Sequence, residues 1–184
     1  MTEETHAFQE KTLEALPEEL TFPEELKLLL ENGLKENEAG IVSLVSQIRE
    51  FVEVSKTLTI DGSYSFDEGA AGLSTRNARM LSKLISDMSA HLYQELYKHY
   101  ETGTDSAKKV GNIDIDFKEN CQVYIDQVGI KNVTTILALA GDRFDMDHMV
   151  DVSREERNRT SVVKPLSWEV RYSGRTFQHA KVEC

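Results

Sequence analysis

The residues best suited to chemistry lie in a short acidic segment, residues 142–151, which reads DRFDMDHMVD. Carboxylate oxygens and imidazole nitrogens are common metal ligands, so this composition could hold a metal ion for hydrolysis. No second group of ligands is recognisable elsewhere, and His91 and His99 have a different spacing on a predicted helix. The pattern favours a solvated acidic turn in which Phe144 fills a small core. The ionisable residues concerned are Asp142, Asp145, Asp147, His148 and Asp151.

Other motifs that carry chemistry are missing from the sequence. No phosphate-binding glycine loop, HExxH pair or nucleophile elbow occurs. The two cysteines, Cys121 and Cys184, form no CxxC pair, so neither a disulfide framework nor a zinc site is indicated. We therefore expect no enzyme activity, no cofactor and no metal.

The charge of the chain narrows the class of partner. The 184 residues carry a formal net charge of −11, which repels nucleic-acid phosphates and anionic membrane surfaces. The first residues, MTEETHAFQEK, lack the basic and apolar regions of a signal peptide. We expect a cytoplasmic protein that binds neither nucleic acid nor membranes.

Near its end the chain changes from helical to alternating periodicity. Trp168, Val170 and Tyr172 alternate with polar residues, which is typical of a half-buried strand. Ser173-Gly174 then predicts a two-residue turn, because such turns need the positive φ that glycine adopts readily.

Two further strands complete this predicted sheet. One runs from Arg175 to the end, with Ala180 and Val182 on one face. The other contains Val162-Val163, and Pro165 restricts it to a sheet edge or a bend. Three strands are about the minimum for a sheet that holds its own shape.

Amphipathic helices are predicted before this sheet. Apolar residues recur at threes and fours over residues 24–58, 74–100 and 116–128. Gly33 and Gly40 weaken the first of these and predict a bend or a short break. The sequence thus predicts a flexible acidic leader (1–23), a helical dimerisation region (24–130) and a C-terminal β-wing (131–184).

The wing resembles the C-terminal β-domain of the GrpE family, the nucleotide exchange factors of DnaK-type chaperones. The order and spacing of the matches carry the resemblance, and Glu169-Val170 and Gln178-His179 depart from the family pattern, as in a divergent member. The matching residues are Phe144-Asp145, Met149, Val152, Val162-Val163, Gly174-Arg175-Thr176, Ala180 and Val182.

The resemblance implies an α+β fold, with paired helices forming a dimeric bundle and a small all-β wing. It also implies a co-chaperone that binds a DnaK-type ATPase domain and promotes ADP release. Arg175 matches a partner-contacting arginine, and its guanidinium suits carboxylate or carbonyl acceptors. A helical adaptor that binds another protein remains the alternative, and a small metal-dependent hydrolase is a third hypothesis. The residues implied in partner binding are Arg175, Met149, Leu166, Phe144 and Gly174.

Overall fold

The computed structural model describes residues 16–60, 64–65, 72–100, 104–153 and 161–184. Within these residues the chain forms four α-helices and eight short strands, with most strands after the last helix. The fold is therefore α+β, as predicted. The helices are α1 (Glu24–Lys35), α2 (Ala39–Ile60), α3 (Thr75–His99) and α4 (Thr104–Gln127).

The first predicted helix is divided into α1 and α2, which confirms the expected break. The break lies at Asn37, whose φ of 54° is left-handed. Gly33 and Gly40 lie inside the helices instead, where each permits a close approach. A Cβ on Gly33 would lie 2.5 Å from Cγ2 of Ile41, and one on Gly40 would lie 2.1 Å from Oε1 of Glu95.

The start of α4 corrects the sequence prediction, which began this helix at residue 116. Helix α4 begins at Thr104. Val110 and Ile113 are buried and continue the apolar stripe of Phe117 toward the N-terminus. Core packing along this stripe therefore outweighs the polar composition of residues 104–112, because burial of one helical face stabilises a helix more than local propensity does.

The strands form one two-stranded and two three-stranded sheets in the described part of the chain. Sheet one is antiparallel in the order β3–β6–β7, and sheet two has the order β4–β8–β5 with β4 parallel to β8. The strands are β1 (Tyr64–Ser65), β2 (Gly72–Leu73), β3 (Val133–Ile136), β4 (Met149–Asp151), β5 (Lys164–Pro165), β6 (Glu169–Tyr172), β7 (Arg175–Gln178) and β8 (Ala180–Glu183).

The β6–β7 hairpin confirms the predicted turn. Ser173 and Gly174 have φ values of 51° and 79°, and two successive positive φ values are typical of a type I′ turn. Pro165 lies on β5, at the edge of sheet two, as expected of a residue that has no N–H to donate. The strand expected at Val162-Val163 is displaced to Lys164–Pro165.

The free edge of β3 is covered by side chains from α4. The Gln122 amide donates to the Val133 carbonyl at 2.9 Å and accepts from the Thr135 N–H at 3.0 Å. Lys118 donates to the Thr135 carbonyl at 3.2 Å. These contacts satisfy backbone groups that would otherwise be open to pairing with another strand.

Sheet one packs on the helices, so part of the wing belongs to the main core. Trp168 and Val170 are fully buried with residues of all four helices. The other face of this strand is buried as well, since Ser167 and Glu169 are 0% and 3% exposed. The prediction of a half-buried strand is therefore wrong: the helices cover one face and sheet two covers the other.

Sheet two has a small core of its own, formed by Ala138, Val162, Ala180 and Val182. Phe144 and Met149 pack against it, along with Cys184. Two separate clusters thus lie on either side of β6, and polar side chains lie at the boundary between the sheets.

The described part of the predicted leader is packed rather than free. Leu20 is buried, and the ring of Phe22 stacks on Phe117 with 5.7 Å between centroids. The expected flexible leader therefore does not extend over these residues, and residues 1–15 lie outside the described part. No helix in the described ranges is long and apolar enough to span a bilayer.

Candidate functional site

A cavity of about 320 Å³ opens between the two sheets. Ligand pockets typically combine an apolar floor with a few converging polar groups, and this one does. Its apolar lining comes from the end of β3 and from sheet two: Ile136, Leu137, Ala138, Met149 and Ala180. Its polar lining comes from the 142–148 segment and from β6: Asp142, Arg143, Asp145, His148, Glu169 and Arg171.

The Glu169 carboxylate is the centre of the polar wall, with a side chain only 4% exposed. Arg171 donates to both its oxygens, from Nε at 2.6 Å and from Nη2 at 3.2 Å. Thr176 on β7 donates its hydroxyl at 2.7 Å, and Nδ1 of His148 lies 2.8 Å away. This carboxylate therefore joins the β6–β7 hairpin to the turn that precedes β4.

Hydrogen bonding keeps Glu169 ionised. Burial by itself raises the pKa of Glu169, but the donors from Arg171, Thr176 and His148 together hold it below the ordinary value. The same Nδ1 of His148 also lies 3.2 Å from the Thr176 hydroxyl oxygen and 3.2 Å from Nη2 of Arg171, so this nitrogen is part of the network around Glu169. The other ring nitrogen, Nε2, is left 3.9 Å from Oδ2 of Asp145.

The acids of residues 142–151 mostly organise the local backbone. Asp142 accepts from the Leu139 N–H at 2.8 Å, and Asp145 accepts from the Asp147 N–H at 3.0 Å. Asp151 accepts from the Ser153 N–H at 2.9 Å. Across the described residues, no three histidine, cysteine or acidic side chains are arranged to hold a metal ion. These contacts show that the three carboxylates accept hydrogen bonds from the backbone of their own turns.

A second polar cluster lies beneath the wing, where sheet one meets α3 and α4. Asp114 is 1% exposed and accepts from Nε1 of Trp168 at 2.7 Å and from the Tyr93 hydroxyl. The Trp168 N–H donates to the Ser89 hydroxyl at 3.0 Å. Burial raises the pKa of Asp114 to about 6, despite the opposing hydrogen bonds. This cluster attaches the wing to two helices at once.

The five residues implied in partner binding fall into two groups. Gly174 and Arg175 are exposed at the turn of the β6–β7 hairpin. Phe144 and Met149 are half-buried against the core of sheet two, and Leu166 is half-buried with its N–H bonded to the Lys181 carbonyl at 2.8 Å. The hairpin pair is exposed, whereas the side chains of Phe144 and Met149 pack on the core of sheet two and Leu166 is bonded to this sheet through its backbone.

Sequence reasoning missed the carboxylates that organise both polar clusters. Glu169 and Arg171 stand two residues apart, so they share one face of a strand and can pair; this spacing was the available signal. Asp114 falls between Ile113 and Phe117 on an apolar helical face, which indicates a buried carboxylate. Neither signal identifies the distant partners, His148 and Trp168.

Comparison of the chain with protein-family models, with curated proteins and with solved structures finds no match.

Proposed function

We propose that the chain is a GrpE-like nucleotide exchange factor, which binds the ATPase domain of a DnaK-type chaperone in the cytoplasm and promotes ADP release. The observation that carries the proposal is the ordered series of matches from Phe144 to Val182. An exposed arginine on a tight hairpin, at the position that the resemblance implies, supports it.

The proposed mechanism is a shift in the conformational population of the partner. The wing binds the open form of the ATPase domain more tightly than the closed form that retains ADP. Differential affinity of this kind lowers the affinity for ADP, and by linkage ADP weakens the complex equally. No covalent step is involved.

Arg175 is the proposed central contact. The type I′ turn and the pairing of β7 with β6 fix its backbone, so little conformational freedom is lost on binding. Its guanidinium offers five donors to carboxylate or carbonyl acceptors. In this proposal Gly174 allows the turn, and the half-buried Phe144, Met149 and Leu166 contribute apolar contact surface to the partner.

The test is release of a fluorescent ADP from a DnaK-type chaperone, measured by stopped flow. We expect the chain to accelerate release and Arg175→Ala to weaken that effect about tenfold, as for the loss of a charge-assisted hydrogen bond. Lys108→Ala removes an exposed cation on α4 and is the matched control. This variant should accelerate ADP release as much as the wild type does. No acceleration at any concentration of the chain would refute the proposal.

One observation favours the alternative, a helical adaptor that acts as a single chain. The apolar stripes of α2 and α3 are covered within the chain, with Ile48 and Leu81 both 0% exposed. The proposed homodimer must therefore use another surface. Light scattering distinguishes the two: a dimer has twice the 20.9 kDa mass of the chain, whereas the adaptor measures as a monomer. A monomer without exchange activity supports the adaptor.

A further inference from the structure

Exposed apolar side chains are concentrated in the part of the wing that forms sheet two. Among the described residues, eight large apolar side chains are exposed, and five of these lie between positions 139 and 163. Apolar residues scattered singly over a surface are normal, whereas a concentration of them marks an interaction site. The five are Leu139, Met146, Val150, Val152 and Val163.

Two of these residues form an apolar row along the outer strand of the sheet. Strand β4 is last in the order of sheet two, and among the described residues it pairs only with β8. Val150 lies beside Lys181, on the face opposite to Ala180 and Val182, which are buried in the core of this sheet. Val152 follows two positions later and is also exposed, so it continues the outward row.

Two of the other sheet edges are protected against pairing with a further strand. Side chains of Gln122 and Lys118 cover the edge of β3, and Pro165 on β5 has no N–H to donate. Strand β4 contains no proline and carries the outward valines instead. An outer strand of this kind can accept an extended peptide as an additional strand.

The charge at the start of β4 is negative. Asp145 and Asp147 are exposed in the turn that precedes the strand. Residues 142–151 contain four aspartates against one arginine, and adding Lys181 on β8 leaves this surface net negative. A cation of a partner is therefore attracted to this end of the strand, and an anion is repelled.

A second copy of the chain fits this edge less well than a basic segment does. Each copy has a net charge of −11 and would bring its own acidic turn to the contact. Pairing of two strands of only three residues also buries much less than the roughly 1,200 Å² of a specific stable interface. The charge and the short length of β4 both favour a short basic peptide segment.

We propose that the outer edge of β4 binds an extended peptide segment that alternates apolar and polar residues and has lysine or arginine at one end. The backbone of the peptide pairs with β4, its apolar side chains pack on Val150 and Val152, and its cations lie near Asp145 and Asp147. The site is separate from the Arg175 hairpin, and the proposal does not rest on nucleotide exchange.

Fluorescence anisotropy with labelled peptides and the full chain tests the proposal. One peptide of eight residues alternates valine and threonine and ends in two lysines, and a matched peptide ends in two glutamates. The lysine peptide should bind saturably and at least tenfold more tightly than the glutamate peptide at low salt, because like charges oppose each other at the acidic turn. Equal binding of the two peptides would overturn the proposal.

N-methylation of the lysine peptide tests the pairing of its backbone. Successive amides of a strand point to opposite edges, so one of the two alternate sets of N–H groups faces β4. Methylation of that set should weaken binding at least tenfold, because the donors are removed. Binding that neither set of methyl groups weakens would exclude strand pairing.

Val150→Lys identifies the site, because a lysine on an outer strand opposes pairing with a further strand. It should weaken the lysine peptide at least tenfold. Val163→Lys makes the same change at an exposed valine outside β4 and should bind as the wild type does. Replacement of both Asp145 and Asp147 by asparagine should reduce the preference for lysine over glutamate about fivefold, as for two exposed ion pairs. Equal weakening by the two lysine variants, or an unchanged preference in the asparagine variant, would contradict the assignment.

Light scattering of the chain alone tests for the other occupant of the edge. The mass of the chain in solution should be the same for the wild type and Val150→Lys. A doubled mass in the wild type that Val150→Lys abolishes would show that a second copy occupies β4, and would overturn the proposal.

Discussion

The buried carboxylate of Asp114 predicts an unusual dependence of stability on pH, which Asp114→Asn should abolish. The side chain lies between Tyr93 and Trp168, and burial raises its pKa from 3.8 to about 6. The folded state therefore holds a proton that the unfolded state releases between these two values. As a result, this residue stabilises the fold most at acid pH, and that contribution is lost as the pH rises through about 6.

The size of the effect follows from the difference between the two pKa values. A separation of about 2 pKa units, at 1.36 kcal/mol per unit, corresponds to roughly 3 kcal/mol between full protonation and full ionisation. About 2–3 kcal/mol of this stabilisation is lost between pH 4 and pH 7.5. The remainder is already lost at pH 4, because Asp114 of the unfolded chain is about half ionised there. This is a large part of the stability of a typical domain.

Urea unfolding of the wild type and Asp114→Asn, followed by tryptophan fluorescence from pH 4 to pH 8, measures the effect. The amide is neutral at every pH, so the free energy of unfolding of the variant should rise relative to the wild type by about 2–3 kcal/mol between pH 4 and pH 7.5. Comparing each variant with the wild type at the same pH cancels the contributions of other ionisable groups to the free energy of unfolding. Among these is Glu169, whose lowered pKa makes its contribution fall as the medium becomes acidic.

Asp116→Asn is the control, because this aspartate lies two residues further along α4 and is exposed. Its difference from the wild type should stay within about 0.5 kcal/mol at all pH values, as for most surface changes. A difference between Asp114→Asn and the wild type that does not vary with pH would show that Asp114 is ionised at its ordinary pKa. The packing of Trp168 against α4 would then be wrong.

Two further predictions concern the glycines inside the helices and the free edge of β3. Gly33→Ala should destabilise the fold by about 1–3 kcal/mol in urea unfolding, because its Cβ would collide with Cβ and both γ carbons of the buried Ile41, which cannot move without the backbone. Gly111→Ala, where nothing lies within 4 Å, should instead stabilise it by up to about 1 kcal/mol, and equal effects would contradict the packing. Gln122→Ala should cost about 1–3 kcal/mol and increase aggregation in static light scattering, since it leaves edge groups of β3 unpaired. The exposed neighbour Glu119 is the control, and an equal loss in Glu119→Ala would refute the role of the amide.

The local features of the fold were predictable because they depend on neighbouring residues. The β6–β7 hairpin follows from alternating residues and from the backbone that Gly174 allows. The division between α1 and α2 was expected near Gly33 and Gly40, and the structure locates it between them, at Asn37. In both cases a few consecutive residues contain the whole physical cause.

The features that were missed depend on contacts distant in sequence. The early start of α4 requires the core that Val110 and Ile113 enter, which their polar neighbours do not reveal. Burial of Glu169 requires His148, which lies 21 positions earlier. A sequence pattern identifies which side of an element is apolar, but it does not show when a second layer covers the polar side.

Three hydrogen bonds attach the two sheets of the wing to the preceding part of the chain. The Tyr97 hydroxyl donates to the Pro165 carbonyl at 2.7 Å, the Tyr172 hydroxyl to the Leu73 carbonyl at 2.8 Å, and Trp168 is held by Ser89. The strand that leads into the hairpin is thus joined by hydrogen bonds both to α3 and to β2, which are distant from it in sequence. The direction in which the hairpin tip projects is therefore a property of the whole packed body and not of the hairpin alone.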